Sequence, residues 1–140
     1  MSKVKLYAEQ ECWDFMESHP DEFASFGCGP GWLGDILVPD TMYFLNISMA
    51  CKIHDWYYRF YPENTEEARQ LADSVFKNNL LRIVRAKTSN RFLLWLRERR
   101  CRTYYSMVRF SGGPAFYDER NEDEVFKEVD TEKYRVIRID

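Results

Sequence analysis

Asp73 lies on the apolar stripe of a long helical segment, and that placement limits how the chain can fold. At helical spacing it shares one face with Phe76, Leu80 and Ile83. A carboxylate on such a face is costly unless it is hydrogen-bonded or paired with a cation. The segment follows Pro62, where Asn64 and Glu67 have the spacing of a capping box, and it runs to about Ala86. Ahead of Pro62 is another helical segment, opened by Pro39-Asp40-Thr41 with Asp40 or Thr41 as N-cap and ending near Tyr61. A turn at about 62–64 predicts that the two helices pack antiparallel. On the first, Ile47, Cys51, His54, Tyr58 and Tyr61 form one stripe. If that stripe faces the seam, Asp73 is the natural partner of His54, through Nδ1 or by way of a tyrosine hydroxyl. A surface bridge from Asp73 to Arg69, one turn back, is the plainer alternative.

The flanking regions read as follows. Residues 3–18 suggest a short amphipathic helix with Leu6, Cys12, Trp13 and Met16 as core groups, ended by His19-Pro20. A glycine loop occupies 26–34. A third helix begins near Ser89 and stops at Gly112-Gly113. From Asp118 the tail is acidic, then alternates from Tyr134 to Ile139 as a short edge strand does. The expectation is one mostly α domain over residues 1–140, with a small β element at its C-terminal end.

Chemistry concentrates where the loop meets the first long helix. Gly27, Gly29 and Gly31 stand at alternate positions, leaving backbone carbonyls able to turn toward one point. His54 and Asp55 follow on the helix. Carbonyl oxygens with one carboxylate suit a hard cation such as calcium, and a histidine beside that cation can activate water. This combination points to metal-assisted ester hydrolysis. Plainer readings exist for each group: glycines serving only the turn, His54 and Tyr58 as core residues, Asp55 as a solvated acid. Asp35 is a further candidate ligand, and His19 reads as a surface residue.

In this order the residues resemble the phospholipase A2 superfamily. The resemblance rests on Gly27-Cys-Gly-Pro-Gly31, on Cys51-Lys-Ile-His54-Asp55 with Tyr58 after it, and on Ala72-Asp73-Ser-Val-Phe76. It covers about residues 26–84 and is nearest to the parvoviral, phage and bacterial forms. It implies a phospholipase A2-like fold, with two long antiparallel helices, a glycine-rich calcium loop and a third helix. It also implies calcium-dependent cleavage of the sn-2 acyl ester of glycerophospholipids. His54 would be the general base, Asp73 would orient it, and Tyr58 would hydrogen-bond Asp73. Calcium would be held by Asp55 and the carbonyls of Gly27, Gly29 and Gly31, and Cys28 would pair with Cys51. Such a bridge does not persist in a reducing cytosol and would imply activity outside the cell. The chain departs from animal secreted members at Ala50 and Tyr57, where those carry cysteines, and in its longer connection between Gly31 and His54. The alternative from a different class is a non-catalytic calcium-binding or structural module of a phage particle or secretion system.

Charge and cysteine usage bear on partners. The formal charge is −3, yet Lys77 to Arg109 holds ten basic residues against Glu98 alone. That segment suits an anionic partner, a phospholipid surface engaged peripherally before a nucleic acid, because Phe92, Leu93, Leu94, Trp95 and Leu96 interrupt it and read as core. Trp32, Leu33, Ile36, Leu37 and Val38 read as core before they read as a rim that seats the site on lipid. No apolar run has the ~18 residues of a membrane span, and the N-terminus lacks a signal peptide. The chain is therefore expected to be soluble and cytoplasmic as made, with virion association or non-classical export as further possibilities. Four cysteines (12, 28, 51, 101) match no zinc motif, and without a secretion signal they default to buried thiols.

Overall fold

The computed structural model describes residues 2–26, 45–63, 65–111 and 134–139. In chain order these form β1 (Ser2–Tyr7), α1 (Gln10–Ser18), α2 (Pro20–Ser25), α3 (Ser48–Phe60), α4 (Glu66–Lys87), α5 (Arg91–Ser111) and β2 (Tyr134–Ile139). The fold is mostly α, as expected, with β1 and β2 paired antiparallel from Ser2↔Ile139 to Tyr7↔Tyr134.

The first element corrects the sequence reading. Residues 2–7 are a strand, and the helix expected over 3–18 begins only at Gln10. Val4 and Leu6 are buried on either side of exposed Lys5, which is a period of two. The strand's partner lies at the far end of the sequence, so no local pattern announces it. Cys12 and Trp13 are core as expected, whereas Met16 is only half-buried.

Helix α3 starts at Ser48 rather than near Thr41, with Ile47 at its N-cap. The Asn46 side chain accepts from the Ser48 amide at 2.9 Å, closing the turn. Pro39, Asp40 and Thr41 lie outside the described residues. At the other end Tyr61 is extended, as a residue before proline prefers to be. Thr65, not Asn64, caps α4: its hydroxyl accepts from Ala68 N at 3.1 Å, and Asn64 lies outside the described residues. Glu66 and Glu67 in the first turn and Arg85 and Lys87 in the last both complement the helix dipole. Asn90 opens α5, accepting from Leu93 N at 2.9 Å. The glycine stop expected at Gly112-Gly113 falls outside the described residues.

Helix α4 is the hub. It packs against α3 on one side, α5 on another and β1 on a third, while α1 and α2 rest against α3. Both expected stripes are buried: Ile47, Cys51, His54, Tyr58 and Tyr61 on α3, and Asp73, Phe76, Leu80 and Ile83 on α4. Asn79 joins α4 to the sheet. Its carboxamide accepts from Tyr7 N at 2.8 Å and donates to Tyr7 O at 2.9 Å, taking the place a third strand would fill. Tyr57 of α3 accepts from the Glu9 amide at 3.1 Å, satisfying a donor at the start of α1.

Two tests follow from this packing. Asn79→Ala leaves a buried amide and carbonyl without partners, at about 1–3 kcal/mol each. The urea midpoint should fall accordingly with the m-value unchanged; a loss below about 0.5 kcal/mol would show the contact to be incidental. The second concerns alkaline pH. Cys12 and Cys101 are free, fully buried thiols. Burial, with nearby Glu98, pushes Cys101 from an ordinary 9.0 up to about 12, and burial with Glu9 raises Cys12 as well. The unfolded chain therefore ionises these thiols first. Stability is fully present below about pH 9 and is lost as pH rises toward the folded values, by about 1.4 kcal/mol per pH unit per thiol. Cys101→Ala should flatten the decline in urea midpoint between pH 8 and 10.5.

Candidate active site

Helical spacing brings His54 on α3 and Asp73 on α4 into direct contact across the buried seam. His54 Nε2 lies 2.8 Å from Asp73 Oδ1, with Asp73 0 % and His54 3 % exposed. The contact uses Nε2 rather than the expected Nδ1. The tyrosine is present too, in addition to the histidine and not as a bridge: Tyr58 OH donates to the same Oδ1 at 2.7 Å. The imidazole packs against two rings, its centroid 4.3 Å from that of Tyr58 and 4.5 Å from that of Phe76. Burial, then the Asp73 charge and hydrogen bond, push the Tyr58 hydroxyl well above its ordinary range, so it stays a neutral donor.

These contacts assign the proton on the ring. An ionised carboxylate only accepts, so facing one Nε2 carries a hydrogen, and in the neutral tautomer the lone pair is then on Nδ1. Among the described residues nothing bonds Nδ1. An imidazole anchored to a carboxylate through one nitrogen is an arrangement that general-base chemistry can use.

Sequence reasoning missed the contribution of the third helix. Arg109, near the end of α5, donates from Nη1 to Asp73 Oδ2 at 2.8 Å and from Nη2 to Glu66 Oε1. Arg69 also approaches Asp73 Oδ2, at 3.6 Å, but not as the surface bridge considered above. Its closer bonds go to Glu66, at 2.9 and 3.0 Å, and to the Val108 and Arg109 carbonyls, both at 3.1 Å. Burial works to lower the Arg69 pKa, but hydrogen bonds to Glu66 and Tyr58 outweigh it and hold the guanidinium firmly charged. The one sequence signal was indirect: Cys101, Tyr104 and Val108 form the buried stripe of α5, which places Arg109 at its border.

Of the residues expected to hold calcium, only Asp55 falls among the described residues. Asp55 is on α3 beside His54, and its Oδ1 accepts from Arg59 Nε at 2.9 Å, one turn on. Gly27, Gly29, Gly31 and Asp35 lie outside the described residues, as do Trp32, Leu33, Ile36, Leu37 and Val38. Among the described residues no three His, Cys, Asp or Glu side chains converge. The expected ligand set, one carboxylate with backbone carbonyls, is not of that kind. Cys51 is disulfide-bonded; its expected partner, Cys28, lies outside the described residues. His19 is exposed and stacks on Phe15 at 4.7 Å, a surface residue as read.

One expectation on α5 is overturned. Phe92 and Trp95 are not core: they are 69 % and 54 % exposed, because the buried stripe of that helix runs through Arg97, Cys101, Tyr104 and Val108 instead. Their rings stack at 6.3 Å, and the Arg99 guanidinium sits 5.5 Å from the Trp95 ring. Among the described residues, no helix is long and apolar enough to cross a membrane. No protein-family model, curated protein or solved structure matches the chain.

Proposed function

We propose that the chain is a phospholipase A2-like hydrolase that cleaves the sn-2 acyl ester of glycerophospholipids in a calcium-dependent reaction. One observation carries the reading: the buried pair of His54 Nε2 and Asp73 Oδ1 at 2.8 Å, which anchors the imidazole and keeps Nδ1 for a water. In this reading Nδ1 takes a proton from water as the water oxygen attacks the ester carbonyl. Asp73 stabilises the imidazolium that forms, and the proton then passes to the departing alkoxide. Tyr58 and the flanking rings keep the imidazole from turning.

Asp55 and the carbonyls of Gly27, Gly29 and Gly31 are the proposed calcium ligands, an all-oxygen set of the kind that ion prefers. What calcium supplies when bound there is positive charge against the substrate phosphate and the oxygen of the reacting carbonyl. The exposed Phe92–Trp95 pair, with Arg91, Arg99 and Arg102 also exposed on α5, suits peripheral contact with an anionic phospholipid surface.

The second reading is a non-catalytic calcium-binding or structural module, and the Asp55–Arg59 contact suits its structural form, because a guanidinium pairs with the carboxylate proposed for the metal. Fatty-acid release from mixed phospholipid vesicles separates the two. Calcium-dependent release is expected, abolished by chelator and reduced on the order of 10²-fold or more in His54→Gln. Turnover retained in that variant would remove His54 as the base. Folded wild-type protein with no release would support the module. In a separate flotation assay, Trp95→Ala combined with Arg99→Gln should weaken binding to anionic vesicles, and wild-type binding should weaken with added salt. Equal binding by both proteins would assign the lipid contact to another face.

A further inference from the structure

We propose that Arg109 is a positioning residue for the His54–Asp73 pair, and that the C-terminal turn of α5 therefore forms the third wall of the site. The inference rests on the hydrolase reading for its kinetic consequence, though not for its geometry.

Asp73 has two oxygens with different tasks. Oδ1 receives His54 and Tyr58, while Oδ2 receives Arg109 at 2.8 Å. Oδ1 is met by a hydroxyl and an imidazole, whereas Oδ2 is met by a guanidinium, which is always charged. Arg109 makes the closest full-charge contact, with Arg69 more distant at 3.6 Å. Holding Oδ2 from the α5 side fixes the side-chain torsion of Asp73. That torsion decides whether Oδ1 faces Nε2.

Arg109 is itself braced. Its second nitrogen bonds Glu66, and Arg69 bonds the carbonyls of Val108 and Arg109. Glu66, Arg69 and Asp73 follow one stripe of α4, and they meet Arg109 as two acids and two bases. A guanidinium can span Glu66 and Asp73 at once because its donors are fixed in a planar fork; a lysine ammonium is a single point of charge. The arrangement thus needs arginine and not merely a cation.

The test uses the full chain with Arg109→Gln, Arg109→Lys and Glu66→Gln, each first checked for folding by circular dichroism and thermal melting. Ring ¹⁵N–¹H spectra of His54 require no substrate. Wild type should show the proton on Nε2, and Arg109→Gln should shift or broaden that signal. In the vesicle assay kcat should fall on the order of tenfold to a hundredfold with KM little changed, since a misplaced base loses rate and not affinity. Arg109→Lys should recover part of the loss, and Glu66→Gln, which removes only the outer brace, should lie between. A folded Arg109→Gln protein with a wild-type His54 signal overturns the proposal whatever the assay shows. An altered signal in a protein whose wild type has no turnover would keep the geometry and remove the hydrolase reading instead.

Discussion

The carboxylate of Asp73 is the group around which the rest of the molecule is arranged. It is fully buried, and an unpaired ion in that position would cost several kcal/mol even after relaxation. Three donors offset that cost, His54 and Tyr58 on α3 and Arg109 on α5, with the charge of Arg69 on α4 itself 3.6 Å away. Apolar packing alone tolerates sliding of one helix against another. Hydrogen bonds near 2.8 Å to a single carboxylate do not, so Asp73 sets the register of α3 and α5 on α4. Stability and the geometry of the candidate site therefore depend on the same atoms.

The two ends of α5 are put to different use. Near its C-terminus Arg109 is drawn inward by two acids of α4. Near its N-terminus the aromatic and basic groups point outward, with Arg99 lying over Trp95. The strong positive charge of the segment is thus neither one solvated face nor one binding surface. Some of it neutralises the site, some pairs locally as Arg85 does with Glu98 at 2.6 Å, and the remainder is presented on the surface.

How legible this was in the sequence depended on distance along the chain. The seam between α3 and α4 could be read because its signal is local: apolar residues at helical spacing, an aspartate among them, and a proline forcing a turn. The stripes containing His54 and Asp73 are buried as their periodicity required. Boundaries were less legible. Thr65 and Asn64 are both good caps, and the choice depends on backbone geometry that composition does not encode. Strand β1 was hidden because it needs β2, and neither segment alone specifies the other. Arg109 was hidden for the same reason. It lies 36 positions from Asp73, and its place beside the stripe of Cys101, Tyr104 and Val108 does not name the acid it meets.

The contact between Asp55 and Arg59 carries little weight against a metal at that carboxylate. It is an i,i+4 pair whose arginine is 55 % exposed. Pairs of that kind are worth about 0–1 kcal/mol, and the guanidinium can swing into solvent with little loss. The pair at His54 is different in kind, because it is buried and braced from three sides. His54 is held through Nε2 by a carboxylate that Arg109 also holds, so the orientation of its ring depends on all three long helices.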